Sequence, residues 1–182
     1  MTPRLTDTPV LTTERLMLRA PQASDFEVFA PFAMSERAQY VGGGADKDMG
    51  HAWRILAIIT GHWHLRGYGT FVYADKATGT PIGSAGPWHP GDWPEKELGW
   101  TVWTSAAEGK GYAFEAVTEL RRHAYADLGW DTAVSYIDAR NTRSLALAAR
   151  LGCWHDKTAV KPDREEDIQV WRHPAPSEVL AA

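Results

Sequence analysis

The stretch SAAEGKGYAFEA, Ser105 to Ala116, sets two glycines around one lysine and starts an apolar helical pattern directly afterwards. Upstream, Glu97 to Thr104 has strand character, with Trp100 and Val102 facing opposite to Thr101 and Trp103. Downstream, Ala113, Ala116, Val117, Leu120 and Ala124 recur on one side of a helix. Glu115, Glu119, Arg121 and Arg122 fill its other faces, and Gly129 follows as a C-cap glycine would. A strand therefore runs through a bare turn into a helix. The first turn of any helix carries N–H groups without internal partners, and the helix dipole adds partial positive charge there. Without Cβ atoms at Gly109 and Gly111 a bulky anion can reach the main chain, so the turn reads as a phosphate or diphosphate cradle. Lys110 adds a screened charge or faces water. A plain tight turn is the competing reading of an isolated G-x-G.

Two familiar nucleotide motifs do not fit. A Walker loop needs longer glycine spacing and Ser or Thr directly after its lysine, whereas Gly111 follows Lys110. A dinucleotide fingerprint needs three glycines in a parallel βαβ unit, and GKGYAF has two, after strands that look hairpin-connected.

Working outward, Leu16 to Ala20 alternates as a first strand that Pro21 ends. Ser24 and Asp25 offer an N-cap to a helix that Pro31 can kink, and GGGAD, Gly42 to Asp46, is a connecting loop. A second helix runs from Asp46 towards Gly67, with Trp53, Leu56, Ala57 and Ile59 expected as its buried stripe. Strands are expected over Tyr68–Ala74, Pro81–Trp88 and Thr132–Ile137, a compact helix over Asn141–Leu151, and strand pieces around Lys157 and Ile168–Trp171. The loop HPGDWPEK, His89 to Lys96, carries two prolines. Residues 1–9 and 174–182 are expected to fray. Strands and helices mix without a regular βα repeat, which predicts one α+β (mixed α/β) domain over 1–182 around a central sheet.

Composition narrows the function classes. With 182 residues, 44% of them hydrophobic and nine tryptophans, the chain can bury a core and wall a pocket with aromatics. A net charge of -4 argues against nucleic acid or an anionic membrane as partner. The N-terminal segment lacks an apolar signal core, and no aliphatic run is long enough to span a bilayer. One cysteine, Cys153, precludes an internal disulfide, and a cytoplasmic location is expected.

The glycine turn is not isolated. About thirty residues later comes NTRSLALAARLGC, Asn141 to Cys153, with a strand between. This pair resembles the GNAT superfamily of acyl-CoA-dependent N-acyltransferases, whose loop reads Q/R-x-x-G-x-G/A, here Glu108, Gly111 and Ala113. TERLMLR, Thr13 to Arg19, and ELGW, Glu97 to Trp100, are similar to the branch that includes ribosomal-protein N-terminal acetyltransferases. The family has Gln or Arg where this chain has Glu108, so that carboxylate is expected to point outward or cap the helix.

The resemblance implies a mostly antiparallel twisted sheet, splayed into a V between the strand near Val102 and the strand near Tyr136, with acetyl-CoA in the gap. Main-chain groups of Val102 and Trp103 would pair with the pantetheine arm. Gly109, Lys110, Gly111, Tyr112 and Ala113 would hold the diphosphate, and Asn141 and Ser144 would border the cofactor. Asn141 is equally a natural N-cap, and one side chain can do both. A neutral amine would attack the thioester after losing a proton to a base, and an N–H near Val102 would polarise the thioester oxygen. Glu97 is the first candidate base, its alternative being an exposed charge at a strand end. Trp88, His89 and Tyr136 are candidate acceptor-binding residues, with Asp92 and Asp138 nearby. Relatives that use a tyrosine as acid carry it where this chain has Ala148. His62 and His64 invite a metal reading, but two residues apart on a helix they diverge, so they read as polar positions near a helix end and no metal is expected. Cys153 reads as buried rather than nucleophilic.

The expected function is acetyl-CoA-dependent transfer to a small-molecule or peptide amine, with a homodimer left open. The alternative is a non-catalytic acyl-CoA-binding or regulatory module of the same fold. A nucleotide-phosphate binder comes third.

Overall fold

The structure is a computed structural model, described here for residues 5–162 and 167–181. Its strands are β1 (Leu11–Thr12), β2 (Leu16–Arg19), β3 (Phe71–Asp75), β4 (Pro81–Trp88), β5 (Glu97–Val102), β6 (Val134–Asp138), β7 (Trp154–His155) and β8 (Ile168–Arg172). The helices are α1 (Phe26–Ala33), α2 (Met49–Arg66), α3 (Tyr112–Ala126), α4 (Thr142–Arg150) and α5 (Pro176–Leu180). One mixed sheet runs in the order β1-β2-β3-β4-β5-β6-β8-β7. Every neighbouring pair is antiparallel except β5 and β6.

That exception creates the site. β5 and β6 share one paired position, Glu97 with Val134. The register of β4 and β5 shows where the freed groups of β5 point. Trp103 donates its N–H to Ile82, so alternate pairs from there are hydrogen-bonded to β4. Leu98, Trp100 and Val102 fall on the intervening positions, and their main-chain groups face away from β4, into the gap.

Each face of the sheet is covered by its own helices. Leu16, Leu18 and Tyr73 pack with Ala116, Val117 and Leu120 of α3, and all six are fully buried. On the other face Val72 and Trp103 pack with Phe29 and Phe32 of α1 and Ala52 and Leu56 of α2. Burying each of the leucine, valine and phenylalanine side chains among them is worth about 1.5–3 kcal/mol, which is what fixes the two helical layers against the sheet.

Five expectations need correction. Trp53 and Ala57 of α2 are exposed, and the buried residues of the helix are Ala52, Leu56, His62 and Trp63. Trp53 instead meets the edge of the Phe26 ring at the surface, 5.1 Å between centroids. Arg121, expected on an outer face of α3, is buried and donates to the Leu151 carbonyl at 2.7 Å. The segment from Pro174, expected to fray, forms α5, where Val179 packs beside Tyr125 and Trp130 and the Tyr125 hydroxyl donates to the Pro174 carbonyl. The strand expected from Thr132 begins at Val134, and the piece around Lys157 is confined to Trp154–His155. Residues 1–4 and 182, also expected to fray, lie outside the described residues.

Candidate active site

Gly109 and Gly111 hold the turn between β5 and α3. Their φ values of 72° and 80° lie in the left-handed region that costs a side-chain-bearing residue strain. Gly111 is the residue that caps α3, and among the described residues no side-chain cap bonds the first N–H groups of that helix. A Cβ at Gly109 would project into open space, so the turn is bare on its outer side. A cleft of about 610 Å³ opens beside it, lined in part by Arg15, Lys110, Phe114 and Arg150. Lys110 is exposed, whereas Tyr112 is half-buried against the core, with the Arg15 guanidinium 4.4 Å from its ring centroid.

The opening motif explains itself here. Glu115 accepts from the Thr13 hydroxyl at 2.5 Å, the Arg15 amide at 2.9 Å and the Arg15 Nε at 2.6 Å. The same arginine donates to the Lys110 carbonyl at 3.0 Å. The segment before β2 is thereby stapled to the glycine turn. Periodicity gives no sign of this, because the partners lie about a hundred residues apart.

Glu108 neither caps α3 nor stands free. One oxygen accepts from Arg37 Nε and Nη2 at 2.8 and 2.6 Å, and the other accepts from Arg143 Nη1 at 2.7 Å.

Along the gap, Val102 presents its N–H while its carbonyl accepts from Arg37 Nη2, whereas Trp103, expected beside it, turns its N–H to Ile82 and gives its carbonyl to Arg37. Trp100, which was not singled out, presents its main chain to the gap and reaches α4 with its side chain, donating to Ser144 Oγ at 3.2 Å. Asn141 caps α4 by accepting from the Ser144 N–H at 3.2 Å, leaving its amide NH2 unused by that bond. Ala148 is fully buried.

Glu97 stands where the strands part. Its carboxyl leans over Gly99, within 3.7 Å of where a Cβ would sit. Trp93 Nε1 donates to it at 2.5 Å. Burial pushes its pKa up to about 7, against the pull of the Trp93 bond and a bond from the Tyr136 amide. Trp93 also meets the Tyr136 ring edge-on at 6.2 Å. Burial pushes the Tyr136 phenol up to about 12, and its oxygen accepts from the Glu95 N–H. Trp88 is the cross-strand partner of Glu97, and its ring stacks on His62 at 4.5 Å. His89 is half-buried, and its N–H donates to His62 Nε2 at 3.0 Å, so His62 carries its proton on Nδ1, facing the Tyr68 carbonyl. Burial holds the His62 pKa below its ordinary value. His62 is thus an interior tie between α2 and the end of β4, and more than the polar position near a helix end that was expected.

The remaining candidates are committed elsewhere. Asp138 is buried and clasped by Arg140 at 2.6 and 2.9 Å, which lowers its pKa. Asp92 is exposed in the loop between β4 and β5. Burial pushes the Cys153 thiol up to about 12, so it is not a thiolate near neutrality. Among the described residues no group of three His, Cys, Asp or Glu is placed to hold a metal ion, and no helix is long and apolar enough to cross a membrane.

The residues suit a thioester carried on a diphosphate: a bare helix N-terminus at one end, open main-chain groups along the gap, and a carboxyl titrating near neutrality at the other. Comparison with known proteins agrees with that geometry. The model of the acetyltransferase (GNAT) domain matches residues 15–153. An acetyltransferase from Agrobacterium tumefaciens is 34% identical, with a TM-score of 0.84 over 96% of this chain and 99% of its own. Two more distant structures share the fold. Ribosomal-protein-S5-alanine acetyltransferase from Vibrio fischeri has a TM-score of 0.68 and 18% identity over 92% of this chain and 97% of its own. Spermidine N-acetyltransferase from Vibrio cholerae, solved with CoA and spermine, has a TM-score of 0.70 and 16% identity over 92% and 99%. No curated protein gives a significant match. The chain is a member of the GNAT acetyltransferase family.

Proposed function

We propose that this acetyltransferase moves an acetyl group from acetyl-CoA to the nitrogen of a small-molecule or peptide amine, with Glu97 as general base. The observation that carries the proposal is the Glu97 carboxyl, held at the parting of β5 and β6 with a pKa near 7. A base works best when its pKa lies near the operating pH, and burial has moved this one there.

Each part of the chain has a task in this scheme. The first N–H groups of α3, beyond Gly109 and Gly111, hold the diphosphate. The main-chain groups of Trp100 and the N–H of Val102 pair with the pantetheine arm, and one of these N–H groups sits where charge develops on the thioester oxygen. When bound, acetyl-CoA supplies an acyl group on a good leaving sulfur. The amine must arrive or become neutral, and Glu97 accepts the proton it sheds. Trp88, Trp93 and Tyr136 surround that carboxyl with rings, which favours an amine entering as a cation before it gives up its proton. With Ala148 in place of a hydroxyl-bearing side chain, water protonates the departing thiolate.

A panel of amines and N-terminal peptides, incubated with acetyl-CoA, tests this through free-thiol release and product mass. At least one amine should give acceptor-dependent thiol release and a product heavier by one acetyl group. Tight binding of acetyl-CoA with no turnover on any amine would favour the non-catalytic reading instead.

A further inference from the structure

We infer that Arg37 is a positioning residue for acyl-CoA, and that it makes an acidic residue at position 108 compatible with a diphosphate held next door. The inference rests on the glycine turn being the diphosphate cradle. Glu108 directly precedes Gly109, so an unpaired carboxylate there would repel a diphosphate across a few ångströms. Both its oxygens are instead occupied by guanidinium groups, one from Arg37 and one from Arg143. Two cations on one carboxylate leave the cluster with a net charge of +1. The Arg37 side chain is 27% exposed and that of Arg143 76%, so Arg37 is the less screened partner.

Arg37 does more than neutralise. Its Nη1 donates to the Trp103 carbonyl at 2.7 Å and its Nη2 to the Val102 carbonyl at 2.8 Å. One planar group thus grips the last carbonyl of β5, the carbonyl that follows it, and the residue just before the turn. The short 3-10 turn Ser105–Ala107 lies between those grips. Its swing, and with it the aim of the first N–H groups of α3, is fixed relative to the gap. Arg37 sits on its own 3-10 turn, Glu36–Ala38, with the guanidinium 5.3 Å from the Phe32 ring centroid. Three acceptors in one fork require arginine, because a lysine ammonium cannot span them. Glu97 lies six residues up the strand from Trp103, roughly 20 Å away at strand rise, beyond direct reach of this cluster.

Steady-state kinetics with acetyl-CoA and with acetyl-pantetheine, which lacks the diphosphate, test the assignment together with calorimetric titration of acetyl-CoA. Arg37→Gln should raise the KM and Kd for acetyl-CoA about tenfold or more, as expected for losing charge-assisted bonds, with kcat lowered less than about threefold. The loss in kcat/KM with acetyl-pantetheine should be much smaller. Arg37→Lys should not rescue acetyl-CoA binding. In a Glu108→Gln background the penalty for Arg37→Gln should shrink, because the charge that Arg37 offsets is gone. An equal loss with both thioesters, or an unchanged Kd for acetyl-CoA, would overturn the assignment. If the wild-type protein turns over no amine, the titration still decides it. If it binds no acetyl-CoA at all, the reading of the turn falls first and this inference with it.

Discussion

The proton affinity of Glu97 is set by three neighbours: the apolar surroundings that raise it, and the Trp93 indole and Tyr136 amide that lower it. Removing the indole donor therefore moves it in a known direction. Trp93→Phe should shift the acidic limb of the kcat/KM profile upward by roughly one unit, since a hydrogen bond to a charged group is worth about 1.5–3 kcal/mol and one unit is 1.36. A limb that stays in place would show that the bond does not form in solution. The position of Glu97 was legible through ELGW, but the bond it accepts from Trp93 was not, because that bond depends on the His89–Lys96 loop folding back over β5. Glu108 was legible as a departure and illegible in its consequence. Its partners Arg37 and Arg143 lie 71 and 35 residues away, and no local pattern links them. His62 likewise read as a polar helix residue, because stacking on Trp88 is a tertiary event.

Strands β2 to β6 and helices α2 to α4 announce themselves by period, cap or turn, and their existence could be read directly. β1 has two residues and no period to read. The inner face of α2 was misassigned because apolar residues occur on several of its sides. Which stripe is buried is decided by α1 and the sheet, not by the helix. α5 is five residues long, and it is its packing against α3 that holds it in place. At α4 the cap and the cofactor roles of Asn141 can be separated. Asn141→Ala should cost about 1 kcal/mol of stability through the lost cap, whereas Asn141→Asp, an equally good cap, should cost little. If the Asn141 NH2 group also bonds the pantetheine arm, both variants weaken acetyl-CoA binding. If only the alanine variant does, capping is its whole role. Thermal unfolding and calorimetric titration read the two effects separately.

Across the whole molecule, two titrating groups pull stability in opposite directions with pH. His173 is 2% exposed, donates through Nε2 to the Ser135 hydroxyl and has its pKa pushed down to about 3 by burial and the nearby Arg121. Its ordinary value is 6.5, so below that pH the unfolded chain binds the proton and stability is lost as pH falls. Glu97 is the reverse. Its folded pKa of about 7 exceeds the ordinary 4.5, so stability is lost as pH rises between the two. From about pH 4.5 to 6.5 the slopes oppose, each worth up to roughly 2–3 kcal/mol across the window. Relative to wild type, the stability gained between pH 4.5 and 6.5 in urea unfolding should be smaller for His173→Gln and larger for Glu97→Gln. Shifts of the same sign would contradict the burial assigned to one of them. The mostly antiparallel sheet and the splay of β5 from β6 came from the resemblance carried by two motifs, while the strand order and the register that aims Trp100 and Val102 at the gap came only with the structure. The central claim is that Glu97 takes the proton from the amine, and the pH dependence of acetyl-CoA-dependent thiol release tests it most directly. Measured with two amines of different basicity, the wild-type kcat/KM should show with both an acidic limb near pH 7, and Glu97→Gln should lose that limb and most of the turnover. A Glu97→Gln enzyme with the same limb and near-normal turnover would contradict it.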